Sequence, residues 1–450
     1  MKFFFKSGKA KIKRRLVVIG IDGTPHSFLQ KHVDAGDFPH LQRILQGGEL
    51  HRMNSVQPCI SSVAWSTYMT GKNPAGHRIF GFVDRKPNPF QIFLPNSSHM
   101  GAKTLWEMIS EDGRRVAVIN VPVTYPPRPV NGILIGGFLS TDVLKCAYPQ
   151  EIGAELKNWD YRIDADANLG RTDKEAFFED LNVTLERRLD AARRLFEREP
   201  WDFFQLHVME TDRINHFLWE HYENQDSAYY LRFLDFYRKV DELLGEFYDR
   251  ALNAAEFIIL SDHGFCSVKK EVYLNQWLED RGYLQLEGDE PHSVGDMGAE
   301  TKAYSLIPGR IFLNLAGREQ KGSVEPGIQA ETLKAEIAEA LLSLTDPDDG
   351  SRIIERVFKR EDLYRGPYLE EAADLIAIPY DGYDLKANVR KPGITFKGDL
   401  VGMHTYNDAA LFIKDRRIIS QDFGILDLAP TILKIMELEP DAVLDGRPLV

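Results

Sequence analysis

Residues 15–24 read "RLVVIGIDGT". An apolar run this short, closed by Asp22 and Gly23, predicts a strand buried on both faces of a parallel sheet, with a loop at its C-terminal end. Three further runs have the same texture: "RRVAVINV" (Arg114–Val121), "DFFQLHVM" (Asp202–Met209) and "EFIILSDHG" (Glu256–Gly264). Helix-period stretches lie between them, at Thr104–Ser110, Lys174–Arg198 and Ala228–Leu252. Strand and helix in alternation predict an α/β three-layer sandwich, a mostly parallel sheet covered by helices on both faces.

The texture changes after Phe265. Residues 267–390 hold the helical "IQAETLKAEIAEALLSL", the turn-rich "TDPDDGS" and the strand-like "ADLIAIPYDGY". They are expected to form an α+β cap inserted into a core made of residues 1–266 and 391–450. A length of 450 residues suits one large core with such an insertion.

The formal net charge of −13 argues against a nucleic-acid-binding surface, which needs a basic footprint. Three cysteines, Cys59, Cys146 and Cys266, make neither a disulfide framework nor a thiolate metal site, and a reducing, cytoplasmic location is expected. The basic, aromatic start "MKFFFKSGKAKIKRR" is expected to be a frayed tail, since Phe3–Phe5 is too short for a signal-peptide apolar region. No run of 18 apolar residues is present, so no transmembrane segment is expected.

Ligands of open α/β sheets gather at the C-terminal ends of the strands. Asp22 and the pair Asp262-His263 stand at such ends. In "ETDRINHFLW", Asp212 and His216 lie four apart, one helical turn on the same face. His404 follows in "GMHTYNDAALFI". Each alone has a bland reading: an Asx turn, a helix cap, an exposed pair, a surface histidine. "SVQPCISSVAWSTYMTGKNPAGH" (Ser55–His77) adds six Ser and Thr hydroxyls around the start of a helix. Together, three carboxylates, three imidazoles and one hydroxyl can be shared between two divalent ions, an arrangement suited to phosphoryl transfer. Nitrogen and oxygen ligands without thiolate point to Zn²⁺, with Mn²⁺ as the alternative.

In these motifs and their order, "IDGT", "PCISSVAWSTYMTGKNPAGHRIFGF", "ETDRINHFLW", "LSDHGF" and "GMH", the chain resembles the alkaline phosphatase superfamily, and within it a prokaryotic subgroup of the type I phosphodiesterase/nucleotide pyrophosphatase family. The resemblance implies an alkaline-phosphatase-like fold and a hydrolase of phosphate esters. It implies that Asp22, Asp262 and His263 hold one ion, which also contacts the nucleophile, and that Asp212, His216 and His404 hold the other. It puts the nucleophile on Ser61, three residues after Pro58 and nine before Thr70. Phe82 stands where nucleotide pyrophosphatases carry an asparagine that bonds the transferred phosphoryl group. The sulfatase maturation signature is missing, because Val63 and Trp65 occupy its Pro and Arg positions counted from Ser61.

The chemistry expected is hydrolysis of a small-molecule phosphate ester, foremost a phosphodiester, through a covalent phosphoseryl intermediate on Ser61. A phosphomonoesterase is the close rival, and a non-catalytic metal-binding relative the reading from another class. Lys302 and Arg318, in the cap, are candidate anion contacts for the substrate, with a solvated surface cation as the bland reading of each.

Overall fold

The computed structural model describes residues 14–450, apart from residues 253, 289, 419, 421 and 440–442. The tail expected before residue 14 lies outside the described residues. The main sheet has eight strands: β1 (Leu16–Ile21), β2 (Leu50–Met53), β3 (Val116–Val121), β4 (Gly132–Gly136), β5 (Ala147–Tyr148), β6 (Phe203–Val208), β7 (Glu256–Leu260) and β8 (Ala409–Ile413). Their spatial order is β2-β8-β7-β1-β6-β3-β4-β5. The five central strands, β7 to β4, pair in parallel. β8 runs antiparallel to β7 and β2, and β5 antiparallel to β4.

Alternation along the strands fills two cores. Val17, Ile19, Ile21, Phe204, Leu206, Phe257 and Ile259 face one side. Leu16, Val18, Val118, Phe203, Ile258 and Leu260 face the other. Seven main helices cover the sheet: α1 (His26–Ala35), α2 (Ser61–Thr70), α3 (Leu105–Glu111), α4 (Lys174–Arg198), α5 (Glu210–Glu223), α6 (Tyr230–Ala251) and α7 (Leu428–Ile435). α1, α4, α5 and α6 pack on the first face, and α2, α3 and α7 on the second. Fully burying each large aliphatic side chain stabilises by about 1.5–3 kcal/mol, which is why an unbroken apolar run settles between two helical layers.

The four expected strands and three expected helices are all present, α4 with the bounds Lys174–Arg198. One run is shorter than expected. β7 ends at Leu260, and the chain leaves the sheet through Ser261, Asp262 and His263 before a second strand, Gly264–Ser267, pairs antiparallel with Gly402–Thr405.

That pair leads to a separate body with its own core, including Trp277, Tyr304, Phe312, Ile337 and Leu341. It holds a four-stranded antiparallel sheet (Ala303–Leu306, Arg310–Leu313, Leu375–Pro379, Ile354–Lys359), the helix Ile328–Leu342 and a small sheet around Lys270–Tyr273. The small sheet takes in Thr395–Phe396, past the boundary expected at residue 390, because Thr395 pairs with Val272. This body leans on the segment around α2: the Tyr364 hydroxyl donates to the Gln57 carbonyl at 2.9 Å, and Arg310 bonds the Val83 carbonyl. Among the described residues no helix is long and apolar enough to cross a membrane.

Candidate active site

The centre of the sheet places the site. Asp22 follows β1, Asp212 lies in the first turn of α5 just beyond β6, and Asp262 and His263 follow β7. These three strands are neighbours, so their C-terminal ends bring the groups together. His404 arrives on Gly402–Thr405, paired opposite Phe265. Gly23 makes the first turn possible. Its φ of 61° lies in the left-handed region, and a Cβ there would stand 2.7 Å from the Phe265 ring.

Ser61 is the first residue of α2, after an extended Ile60. Its Oγ lies 3.1 Å from Asp22 Oδ1 and 3.1 Å from His263 Nε2. The neighbouring Ser62 Oγ is buried without a hydrogen-bond partner. Ser66 and Thr70 donate to carbonyls one turn back, and Thr67 bonds His77. Of the hydroxyls on this helix, Ser61 alone reaches Asp22 and His263.

The three carboxylates share one pattern: one oxygen is held by donors and the other is turned to the centre. Asp22 Oδ2 receives Trp65 Nε1–H at 2.8 Å and His207 Nε2–H at 2.9 Å. Asp262 Oδ1 receives the Gly23 N–H at 3.1 Å, while Oδ2 is buried with no hydrogen bond. Arg213 Nη1 lies 3.3 Å from Asp212 Oδ2, while Oδ1 is likewise buried and bare.

The three imidazoles repeat it. The Nδ1 atoms of His263, His216 and His404 lie 3.1, 2.9 and 3.0 Å from the carbonyls of Gly264, Gly402 and Cys59. A carbonyl only accepts, so each Nδ1 carries a proton, and in the neutral form of each ring the Nε2 lone pair turns inward. Burial pushes His263 down to about 3 and His216 down to about 4. Burial also disfavours charge on His404, but Asp212 beside it outweighs this and raises its pKa. Burial, with Asp22 beside it, holds the Asp262 carboxyl well above the usual range.

Bare carboxylate oxygens and inward lone pairs in a buried cluster repel one another unless a cation lies between them. His216 Nε2 and His404 Nε2 lie 3.4 and 3.2 Å from Asp212 Oδ1. His263 Nε2 lies 3.3 Å from Asp262 Oδ2 and 3.6 Å from Asp22 Oδ1. Two groups of ligand atoms fit within 4.8 Å: Asp212, His216 and His404, and Asp22, Asp212 and His263. Asp212 belongs to both and Asp262 to neither, although Asp262 Oδ2 lies 3.3 Å from His263 Nε2. The donor set therefore fits two divalent cations.

The two cap residues are placed elsewhere. Arg318 is committed to Asp374, at 2.6 and 3.0 Å, and to the Leu313 carbonyl at 2.7 Å. That ion pair ties the cap together. Lys302 is exposed beside the cap sheet. Neither residue has a contact with the seven site residues among the described interactions.

Sequence reasoning missed the groups that hold these side chains. His207 sits inside a mostly apolar run that reads as strand; the polar alternation Gln205, His207 in "FFQLHV" is the available signal. Trp65 lies one turn after Ser61 on the same helix, T-shaped to His207 with centroids 4.6 Å apart. Its approach requires Gly20, where a Cβ would stand 2.6 Å from the indole. Arg213 is bound by Asp164 through Nη2 at 2.6 Å. Nothing in the sequence linked positions so far apart.

The family profile described as type I phosphodiesterase / nucleotide pyrophosphatase matches residues 16–407. No curated protein matches significantly. Among solved structures, human ectonucleotide pyrophosphatase / phosphodiesterase 5 aligns with a TM-score of 0.57 at 16% identity, over 96% of this chain and 97% of that one. The murine protein, in an inactive form in complex with AMP, gives 0.58 at 15% identity, over 96% and 97% of the two chains. Phosphonoacetate hydrolase from Sinorhizobium meliloti 1021, in complex with phosphonoacetate, gives 0.62 at 15% identity, over 94% and 96%. At these identities the likeness is one of fold.

Proposed function

The chain belongs to the type I phosphodiesterase / nucleotide pyrophosphatase family, and from that premise we propose that it is a two-metal phosphodiesterase working through a phosphoseryl intermediate on Ser61. Membership makes it a phosphoester hydrolase of a divalent-metal-dependent family. The observation that carries the finer reading is the Ser61 hydroxyl, 3.1 Å from both Asp22 Oδ1 and His263 Nε2 at a helix N-terminus.

Asp22, Asp262 and His263 would hold one ion, and Asp212, His216 and His404 the other, with Zn²⁺ or Mn²⁺ suited to this nitrogen and oxygen set. Divalent ions there supply positive charge for a developing serine alkoxide and for the phosphoryl oxygens. Every other part falls to the chain. The Ser61 hydroxyl donates to Asp22 Oδ1 as its oxygen approaches phosphorus. The first turn of α2 offers N–H groups with no partner inside the helix, which favour an anion. In the first step the Oγ–P bond forms, the P–O bond to one alcohol breaks, and that alcohol leaves with a proton. In the second, water attacks phosphorus, the Oγ–P bond breaks, and Ser61 and a phosphomonoester are released.

We take residues 14–266 and 397–450 as the catalytic core and residues 267–396, extended by the Thr395–Phe396 strand, as a cap that shapes access to it. Arg318 is better assigned to cap stability than to substrate binding, since its guanidinium is already paired. The AMP complex of the murine relative supports a small-molecule phosphate ester as substrate. Comparing bis-para-nitrophenyl phosphate with para-nitrophenyl phosphate tests the reading: the diester should turn over faster, and hydrolysis of the monoester alone would replace it with a phosphomonoesterase.

A further inference from the structure

A cavity of about 740 Å³ opens next to the site, with Tyr125, Phe138, Leu139, Val143, Tyr161 and Asp164 in its wall. Tyr125 and Phe138 stand just beyond the C-terminal ends of β3 and β4, the next strands in the sheet after β6. The cavity is one side chain removed from a proposed metal ligand. Asp164 holds Arg213 through Nη2 at 2.6 Å and Nε at 3.2 Å, and Arg213 Nη1 lies 3.3 Å from Asp212 Oδ2. The same guanidinium packs 4.5 Å over the Phe138 ring, which stacks on Phe82 at 5.5 Å and 19°.

The charges in this wall are spent. Asp164 is paired with Arg213, and Arg162, also in the wall, lies 2.6 Å from Asp180. Aromatic and aliphatic surface dominates what remains, and it continues outward. Leu94 lines the cavity although 47% exposed; Ile92, two residues before it, and Leu144, beside Val143, are 36% and 41% exposed. A second charge on the substrate would find no free counter-charge here and would lose its hydration. An apolar group would gain by leaving water.

We propose that this cavity receives an uncharged alkyl or aryl ester group of the substrate phosphodiester, with Phe138 as its platform. The inference rests on the phosphodiesterase reading and narrows its substrate class. Phe82, at the position where relatives bond the phosphoryl group with asparagine, then serves as the back of an aromatic wall.

The test is a series of para-nitrophenyl alkyl phosphates, methyl, butyl and hexyl, beside the 2-carboxyethyl and 5′-thymidyl esters. The metal-loaded enzyme should show kcat/KM rising about three- to fourfold per methylene before levelling off, with the carboxyethyl and thymidyl esters below the hexyl. Phe138→Ala should flatten the dependence on chain length, and so should the rim variant Leu94→Ser if the first fails to fold. Calorimetric titration of the Ser61→Ala protein with the butyl and hexyl esters should show the same order in affinity. A flat series, or a preference for the carboxyethyl or thymidyl ester, overturns the proposal while leaving the phosphodiesterase reading intact. If no ester turns over, the hydrolase reading falls, and the titration still decides: equal affinity for butyl and hexyl esters overturns the cavity assignment.

Discussion

His216 and His404 bring their Nε2 atoms to 3.0 Å of each other, with both Nδ1 atoms tied to carbonyls. Two inward lone pairs at that distance, beside the bare Asp212 Oδ1, are stable as neighbours when they share a cation. His404→Ala should therefore lower bound zinc or manganese from two ions per chain to one, measured by elemental analysis after dialysis. Unchanged stoichiometry would remove His404 from the ligand set.

His207 and Trp65 act on the other carboxylate by holding Asp22 Oδ2, so that Oδ1 faces Ser61. Replacing His207 by Phe keeps the bulk and deletes one donor. We expect metal affinity or kcat to fall about 10- to 100-fold with KM little changed. Titration of the metal-free protein with zinc reads the affinity; wild-type values for both affinity and kcat would make His207 a packing residue only.

Arg188 and Glu210 form an ion pair with both side chains fully buried, Nη2 to Oε1 at 2.9 Å. Arg188 also donates to the Ile163 carbonyl at 2.9 Å, so the pair ties the start of α5 to the loop before Asp164. Arg188→Met should cost about 3–5 kcal/mol in urea unfolding, because Glu210 is left buried without its counter-charge. Adding Glu210→Leu should restore much of the loss. A double variant no more stable than the single one would show that the arginine matters for packing, not charge.

The pH dependence has one clear contributor away from the proposed ligands. His77 is buried; its Nδ1 accepts from the Ile79 N–H at 3.1 Å and its Nε2 lies 3.0 Å from Thr67 Oγ1. Burial pushes it from 6.5 down to about 3. In that window the unfolded chain binds a proton that the folded chain does not, so stability falls as pH falls, by about 1.4 kcal/mol per unit for this one group. In urea unfolding of the metal-free protein from pH 7 to 4, His77→Gln should be less steep than wild type. An equal slope would contradict the assignment.

The fold was legible because each central strand is a short, mostly apolar run between helix-period segments. Asp22 and the Asp262-His263 pair could be singled out as candidates because they end such runs, and Asp212 and His216 because they share a helical face. His207 and Arg213 could not: their meaning lies in contacts with Asp22 and Asp164, across 185 and 49 positions of sequence. The pairing of Arg318 was hidden for the same reason, since its partner Asp374 is 56 positions away. Cation and carboxylate alike are visible in a sequence, but which cation is already neutralised is not.

The most direct measurement is rapid acid quench of the metal-loaded enzyme turning over bis-para-nitrophenyl phosphate, followed by peptide mapping. A para-nitrophenyl phosphate adduct should be found on Ser61, and Ser61→Ala should lose at least about a thousandfold in kcat while keeping its two ions. An adduct on another residue, or full turnover by Ser61→Ala, would contradict the assignment of Ser61 as nucleophile.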